Sequence, residues 1–462
     1  MSSNKYSYEE IDGVQVITAK FWNNCEHQLG TYMEDTDYDF VVQDDCDFYA
    51  PAGTGIESGE NGEHNIIFKL RKNVFTEEEQ LGAYDGLVGA AQPTQNRGLA
   101  AGPKAGKQGK RDWVTDEQME IMNMFISQSN SLFEESIEDK LAAIRKKHEG
   151  KDSAAGSTRG LCWLRAKVTD SGYTYDNFFP NKLQEWLGMS EQEASKDAEA
   201  TLKGFVSDTT YANQVLSGIA GFFDRYPRIP YGRATSYTDH HFEKYTLCYP
   251  FMRKLASKFK ELLPQRYAIQ ESCANKIDQK FRVAGNDTPF TTITVNKNFR
   301  TSAHRDAGDL NEGFSNLTVV AKDKNWEGGY LVLPEFRVAV NIRPGDLLLI
   351  NNHGGIHGNT ELKPPAGMKI EDMERISLVC YFREKMMELG SWNYEKLRRQ
   401  FVDDRRLNQD HPEWREYWNG VSSNMWSSQE WYDYLKENGG QDMLGEYHPD
   451  ALKEKATLED FF

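Results

Sequence analysis

The feature of this 462-residue chain that most limits its fold is a run of short strand patterns between residues 288 and 386. Segments of about six residues, rich in apolar and β-branched side chains, alternate there with turns that contain Gly and Pro. Strands are predicted at 291–295, 316–321, 330–334, 336–342, 347–351 and 376–382, with turns at 326–329 and 343–346. That many strands can circle a small barrel and return, so the pattern predicts a barrel-like β core.

Within this core, His304 and Asp306 are separated by one residue, and His353 and His357 follow the apolar run 347–350. Side chains two residues apart in a strand lie on one face, so His304 and Asp306 can bind one ion together. Two imidazoles and one carboxylate form the facial triad that holds non-haem Fe(II) and leaves positions open for a cosubstrate and O2. A lone His-x-Asp is common and means little, but this order of motifs predicts an iron site, completed by His353 or His357.

Arg375 and Ser377 open the last strand of the core and share one of its faces. An arginine can pair with a carboxylate through two parallel hydrogen bonds. Beside an iron site, these two residues predict a subsite for the distal carboxylate of a cosubstrate.

Three segments of this core, TPFTTITVNKNFRTSAHRDAGDL, EGGYLVLPEFRVAVNIRPGDLLLINNHGGIHGNT and ERISLVCYFREKM, resemble the catalytic domain of the TET/JBP family of nucleic-acid base oxygenases. The resemblance is closest to the thymidine hydroxylase (base-J-binding protein) branch. It is densest over 288–320 and 326–386, and it extends faintly back to about Ser217, so it covers somewhat over a third of the chain.

The resemblance implies an α+β fold with a double-stranded β-helix (jelly-roll, cupin-like) core braced by helices. It implies that His304, Asp306 and His357 bind Fe(II), because the family's distal histidine precedes Gly-Asn, as His357 does here. His353 is then a neighbouring group or a loop residue. Arg375, with Ser377, would bind 2-oxoglutarate, and O2 would be the cosubstrate.

The activity implied is hydroxylation of the C5 methyl group of a pyrimidine in DNA, either thymine or 5-methylcytosine. That methyl group reaches an enclosed iron only if the base leaves the duplex or lies in a single strand. The base needs a pocket of amide and aromatic side chains, and Asn296, Asn298, Phe299 and Tyr237 are candidates because they lie near the metal motif or the lead-in segment.

Charge and cysteine content qualify this hypothesis. The net charge of -17 is unusual for a protein that binds phosphates, although residues 1–60 hold 13 acidic and 2 basic residues and so carry much of it. The six cysteines form no C-x-x-C pair, no apolar run is long enough to span a membrane, and the N-terminus lacks a signal pattern. We expect a soluble intracellular protein, in the cytoplasm or nucleoid of a virus-infected or bacterial cell or in a eukaryotic nucleus.

Four regions are predicted. Residues 1–112 form an acidic region, either a solvated edge or a partner-binding or DNA-mimicking arm, ending in a flexible Gly-rich loop. The loop's basic residues are candidates for the DNA backbone, the alternative being a plain linker: Arg97, Lys104, Lys107, Lys110 and Arg111. Residues 113–215 are mostly helical, 216–389 form the oxygenase core, and 390–462 form a Trp-rich helical tail that either packs on the core or reads modified DNA. Helices are predicted at 115–148, 181–205 and 242–263.

Two other functions compete with DNA hydroxylation. A 2-oxoglutarate oxygenase acting on a protein or small molecule would suit the acidic charge, since the triad fixes the reaction and not the substrate. A modified-DNA-binding protein with a vestigial oxygenase domain is the other, and the intact ligand set counts against it.

Overall fold

The computed structural model describes residues 5–51, 65–94, 97–103, 213–226, 229–407 and 428–438, together with isolated residues between 117 and 194. Within these ranges the strands are β1 Tyr6–Ile11, β2 Val14–Ala19, β3 Phe40–Val42, β4 Cys46–Tyr49, β5 Ile66–Arg71, β6 Gln92–Thr94, β7 Val215–Phe223, β8 Arg233–Ala234, β9 Thr292–Lys297, β10 Ser315–Ala321, β11 Glu327–Gly328, β12 Leu331–Leu333, β13 Val338–Val340, β14 Leu347–Ile350, β15 Gly358–Asn359, β16 Leu362–Lys363 and β17 Arg375–Tyr381.

The described α-helices are α1 Glu77–Leu87, α2 Ser236–His240, α3 Phe242–Thr246, α4 Tyr249–Leu262, α5 Pro264–Ala274, α6 Trp392–Leu407 and α7 Ser428–Glu437. Short 3-10 turns lie at Glu26–Gln28, Asp35–Asp37, Val88–Ala90, Gly98–Ala101, Gln279–Phe281, Gly285–Asp287, Pro334–Phe336, Ile370–Asp372 and Glu384–Glu388. No helix in the described part of the chain is long and apolar enough to cross a membrane.

Two sheets face each other across an apolar core. In the described residues the larger has the order β1-β2-β4-β5-β14-β10-β17-β9-β7-β6, with β8 beside β7, and the smaller has the order β15-β12-β13-β3. Phe48 of the larger sheet meets Phe336, at the edge of the smaller, with ring centroids 5.8 Å apart. Phe48 and Phe336 are fully buried, and such burial contributes about 1.5–3 kcal/mol for each large apolar side chain. Two facing sheets confirm the predicted double-stranded β-helix core.

Helices cover the outer face of the larger sheet. Helix α4 turns Phe251, Leu255 and Phe259 inward, and the four-residue spacing of these buried side chains places them on one helical stripe. They join an apolar cluster with β9, β14 and β17. The sheet strands that reach the cavity are therefore braced from behind, as the sequence predicted.

The N-terminal region is part of both sheets. Strand β5 pairs antiparallel with β14, and β3 pairs parallel with β13. The acidic residues in the described part of this region therefore lie on strands and turns of the core, which favours the solvated edge over the arm. Sequence reasoning missed this because the partner strands lie far away along the chain.

Two of the predicted helices are interrupted. The helix predicted at 242–263 divides before α4, because Pro250 in the first turn of α4 has no N–H to donate to the Thr246 carbonyl, so α3 cannot continue into α4. In the helix predicted at 181–205, Gly188 has φ +66° and is not helical, and Ser190 begins a new turn capped by Glu193. The helix predicted at 115–148 lies mainly outside the described residues.

Candidate metal centre

His304, Asp306 and His357 meet where β15 approaches the chain that follows β9. His304 and His357 form an isolated antiparallel bridge, with N–H to O distances of 2.9 and 3.0 Å. One ligand atom from each of the three residues lies within 4.8 Å of the others. The Nε2 atoms of His304 and His357 are 3.5 and 3.9 Å from oxygens of Asp306. The three residues selected from the sequence are thus brought together as one group that could hold a metal ion.

Neighbouring backbone carbonyls orient both imidazoles. Nδ1 of His304 lies 2.7 Å from the Ser302 carbonyl, and Nδ1 of His357 lies 3.2 Å from the Gly355 carbonyl. A carbonyl can only accept, so each Nδ1 carries the proton and each Nε2 keeps its lone pair. Asn352 donates to Asp306 at 3.0 Å. Such outer hydrogen bonds fix the orientation of metal ligands.

The electrostatics favour the ligand forms of two of these groups at neutral pH. Burial, together with the neighbouring His304, lowers the pKa of His357 to about 4. Burial alone would raise the pKa of Asp306, but the hydrogen bond from His304 and the charges of both histidines lower it to about 2. For His304, burial lowers the pKa and Asp306 outweighs it, so the pKa is raised.

His353 lies outside this group. Its Nδ1 is buried and has no hydrogen-bond partner in the described residues, and the ring lines a small separate cavity with Phe314 and Asn352. The geometry therefore favours His357 as the distal ligand.

A cavity of about 650 Å³ opens beside the three ligands. Arg375 and Ser377 line it, together with Val379 and Tyr381, because alternate residues of β17 face the same side. Ser377 pairs with Asn296 of β9, which in turn pairs with Ser217 of β7. These three polar residues form a row across the cavity floor.

Arg375 is a buried cation in need of an anion. It is 6% exposed, and its Nε has no hydrogen-bond partner among the described residues. Burial, and then the charge of Arg343, lowers the pKa of Arg375 to about 10. Its guanidinium lies 5.3 Å from the Trp326 ring centre. An unpaired guanidinium at the end of a cavity fits the carboxylate of 2-oxoglutarate.

The candidate base-pocket residues divide in two. Asn296 and Phe299 line the cavity, and the Ser217 hydroxyl donates a short hydrogen bond to the side-chain amide oxygen of Asn296. Asn298 instead donates to the carbonyls of Ile370 and Met373, at 2.7 and 2.6 Å, and it does not line the cavity. Its position gives no support to a role in DNA binding.

Tyr237 also lies away from the cavity, where its hydroxyl donates to the Gly86 carbonyl at 2.7 Å. Both misplacements have one cause: closeness in sequence to the motif does not decide where a side chain lies, since Asn298 follows the end of β9 and Tyr237 is on α2.

Arg97 is a cavity residue whose role the sequence did not reveal. It belongs to the predicted basic loop, yet its Nε is buried in the cavity wall without a partner among the described residues. Burial lowers the pKa of Arg97, and Tyr381 and Asp306 oppose that shift. The following turn, Gly98–Ala101, is fixed to the core because Ser302 donates to the Ala100 carbonyl at 3.0 Å. Lys104, Lys107, Lys110 and Arg111 lie outside the described residues.

Two imidazoles, one carboxylate and a buried unpaired arginine on a double-stranded β-helix define the class of Fe(II)- and 2-oxoglutarate-dependent oxygenases. Residues 218–384 match the Tet_JBP family, the oxygenase domain of the 2OGFeDO superfamily. The match covers the part of the chain that carries the metal centre. It confirms the resemblance inferred from the sequence and the expected cofactors, Fe(II) and 2-oxoglutarate.

Two curated relatives and one solved structure are similar to part of this chain. The chain is 36% identical over 176 residues to thymine dioxygenase JBP1-B of Trypanosoma cruzi (strain CL Brener), covering 37% of this chain and 20% of that protein. It is 34% identical over 180 residues to thymine dioxygenase JBP1 of Leishmania braziliensis, covering 38% and 21%. The chain thus spans about a fifth of the length of these curated relatives. The solved structure of NgTET1 in complex with 5mC DNA has 16% identity, a TM-score of 0.31, and coverage of 40% and 69%.

Proposed function

We propose that this protein hydroxylates the C5 methyl group of a pyrimidine base in DNA, with Fe(II), 2-oxoglutarate and O2. The observation that carries the proposal is the group of His304, Asp306 and His357 beside a cavity that ends at the unpaired Arg375. The relatives named as thymine dioxygenases support a thymine-like substrate. Thymine and 5-methylcytosine remain the two candidate bases.

Each residue of the site would have its own role. His304, Asp306 and His357 would hold Fe(II) on one side, and Arg375 would orient 2-oxoglutarate by its distal carboxylate. When bound, the iron supplies the oxidising chemistry: O2 and 2-oxoglutarate are consumed, succinate and CO2 are released, and one oxygen atom enters the methyl C–H bond. The volume of about 650 Å³ lies within the range of about 300–1,000 Å³ for ligand pockets and has room for both a dicarboxylate and one base.

The base would enter as an extrahelical or single-stranded nucleotide. The amide of Asn296 is held by Ser217 and faces the cavity. Asn296 is proposed to contact the polar edge of the base, and Phe299 to stack on it. Taking a base out of a duplex costs a few kcal/mol of stacking and pairing, and contacts of this kind offset that cost.

The test is mass spectrometry of nucleosides from DNA that contains both thymine and 5-methylcytosine, after incubation with Fe(II) and 2-oxoglutarate. We expect 5-hydroxymethyluracil or 5-hydroxymethylcytosine in a one-to-one ratio with succinate, and neither product from the Asp306→Ala variant. Succinate release that ignores DNA and leaves its nucleosides unchanged would exclude DNA as the substrate. Specific binding of modified DNA without succinate would instead favour a vestigial oxygenase.

A further inference from the structure

Arg305, the residue between two metal ligands, forms two ion pairs. Its Nη1 lies 2.7 Å from Glu26, and its Nη2 lies 3.3 Å from Glu335. The two acids differ in environment: the side chain of Glu26 is 55% exposed, whereas that of Glu335 is 2% exposed. A pair with an exposed partner is worth little, whereas a pair with a buried partner matters more. The contact with Glu335 is therefore the one expected to restrain Arg305.

Glu335 also reaches the third ligand. Its second oxygen, Oε2, accepts a hydrogen bond of 2.9 Å from the backbone N–H of Ile356, the residue directly before His357. One carboxylate thus joins the residue between His304 and Asp306 to the residue before His357. The Asn23 N–H donates to the Glu335 carbonyl at 2.9 Å, so the N-terminal segment supports Glu335 in turn.

A buried carboxylate at this position has a cost. Burial raises the pKa of Glu335, although Ile356 and Arg305 oppose the shift. Replacing a buried ion pair with apolar groups of similar volume is often neutral or stabilising, so stability alone does not account for such a group. A role in fixing the relative position of the two ligand segments does account for a buried carboxylate here.

We propose that Glu335 is a positioning residue of the metal centre, which holds the His304–Asp306 segment through Arg305 and the His357 segment through the Ile356 N–H. This inference rests on the proposed function, because it assumes that the three ligands bind a metal. Mutation of a residue that orients metal ligands in this way typically weakens metal affinity by about 10–100-fold.

Titration with Co2+, followed by visible absorption, tests the role without requiring turnover. In Glu335→Gln, the amide oxygen can still accept from Ile356, but the charge that pairs with Arg305 is lost. We expect the dissociation constant for Co2+ to rise about tenfold. Arg305→Gln should weaken binding similarly, and the double variant should be no weaker than either single variant.

Two controls separate positioning from general destabilisation. Glu395→Gln removes a carboxylate of the same kind, whose side chain is 1% exposed and pairs with Arg225 at 2.5 Å. Its other hydrogen bonds come from the N–H groups of Gly232 and Gly390, not from the ligand segments. Glu395→Gln should lower the urea midpoint of the metal-free protein and leave Co2+ affinity unchanged. Glu26→Gln, at an exposed position, should change neither the urea midpoint nor the Co2+ affinity. Parental Co2+ affinity in both Glu335→Gln and Arg305→Gln would overturn the inference. Failure of the parental protein itself to bind Co2+ would instead overturn the proposed function.

Discussion

His353 and His357 stand four residues apart, yet only His357 brings a ring nitrogen to the metal centre. Ala at His304, Asp306 or His357 should abolish measurable Fe(II) binding and iron-dependent turnover, because each removes one of three ligands. His353→Ala should keep both, since its ring lies along a separate cavity. Iron content after anaerobic loading measures the effect. Loss of iron in His353→Ala, with iron retained in His357→Ala, would show that the distal ligand is the other histidine.

Arg375→Lys tests the cosubstrate subsite. Lysine keeps the positive charge but loses the fork that pairs with a carboxylate in two places. Since a charged hydrogen bond is worth about 1.5–3 kcal/mol, the KM for 2-oxoglutarate should rise about 10–100-fold. Iron content should stay at the parental level, which serves as the internal control. An unchanged KM would remove Arg375 from the cosubstrate site.

At the residue scale, the sequence predicted what depends on local spacing. His304 with Asp306, and Arg375 with Ser377, are pairs two residues apart, and alternation in a strand places each pair on one face. Glu335 was not identified, and Arg97 was predicted only as a contact to the DNA backbone, because their places at the site depend on contacts with residues far away in the chain. No spacing rule reports that Glu335 lies beside Arg305 or that the Arg97 guanidinium lines the cavity.

At the element scale, the turn Gly98–Ala101 brings Arg97 to the cavity. Because the Arg97 Nε is buried without a partner among the described residues, we expect it to bind an anionic group of substrate or cosubstrate. Arg97→Gln should lower kcat/KM about tenfold or more, the loss of one charged hydrogen bond. Metal affinity should not change.

Arg253→Gln provides the matched control, because that arginine lies on α4 with its side chain half exposed and pairs only at the surface with Asp287. Steady-state kinetics on one DNA substrate, with both variants assayed together, makes the comparison. Equal kcat/KM for Arg97→Gln and Arg253→Gln would show that the Arg97 guanidinium takes no part in binding.

Strands were predicted more accurately than helices. The predicted segment 316–321 corresponds to β10, Ser315–Ala321, and 347–351 corresponds to β14, Leu347–Ile350. Alternating or apolar runs this short favour strands, because most helices are longer. The helix predicted at 242–263 was too long. The apolar periodicity continues through Pro250, but proline has no N–H and so interrupts the helical hydrogen bonding of the backbone.

The tail begins as part of the core. Trp392 lies 4.9 Å from Phe281 between ring centres, and Arg398 is buried where it donates to the Pro230 carbonyl at 2.6 Å. The described start of the tail therefore packs on the core, the first of the two predicted alternatives. Arg398 is therefore part of the core and does not lie on a surface that could contact a duplex.

At the scale of the whole molecule, the net charge of -17 has to be reconciled with the proposed substrate, which is a polyanion. Changing Lys104, Lys107, Lys110 and Arg111 together to Gln should weaken DNA binding at low salt. Each lost phosphate contact reduces the slope of log affinity against log salt by about 0.9, so the slope should flatten by about two to four units. Fluorescence anisotropy across a salt series measures both quantities.

The choice of base should be unaffected by this quadruple change, because phosphate contacts position the protein and base contacts specify the sequence. Turnover of a free nucleoside, if there is any, should be equally untouched. A variant with parental affinity and slope would show that these residues belong to a linker and that the duplex is held elsewhere.

The pairing of β5 with β14 also has a consequence for how the protein is made. The ribosome must add roughly 280 residues after β5 before its partner emerges, which takes about 15–55 s at about 5–20 residues per second. During that interval the N-terminal strands are a nascent sheet without its central partner, and unpaired strands of this kind invite aggregation.

The acidic residues of the N-terminal region can limit aggregation during that interval, because their like charges repel neighbouring nascent chains. Glu9→Gln, Glu10→Gln and Asp12→Asn, made together at exposed positions, should reduce the soluble yield of cell-free translation. The stability of the finished protein should change by no more than about 0.5 kcal/mol per exposed site. The negative charge of the N-terminal region would then act mainly during synthesis, by limiting aggregation of the nascent chain before the protein can bind a substrate.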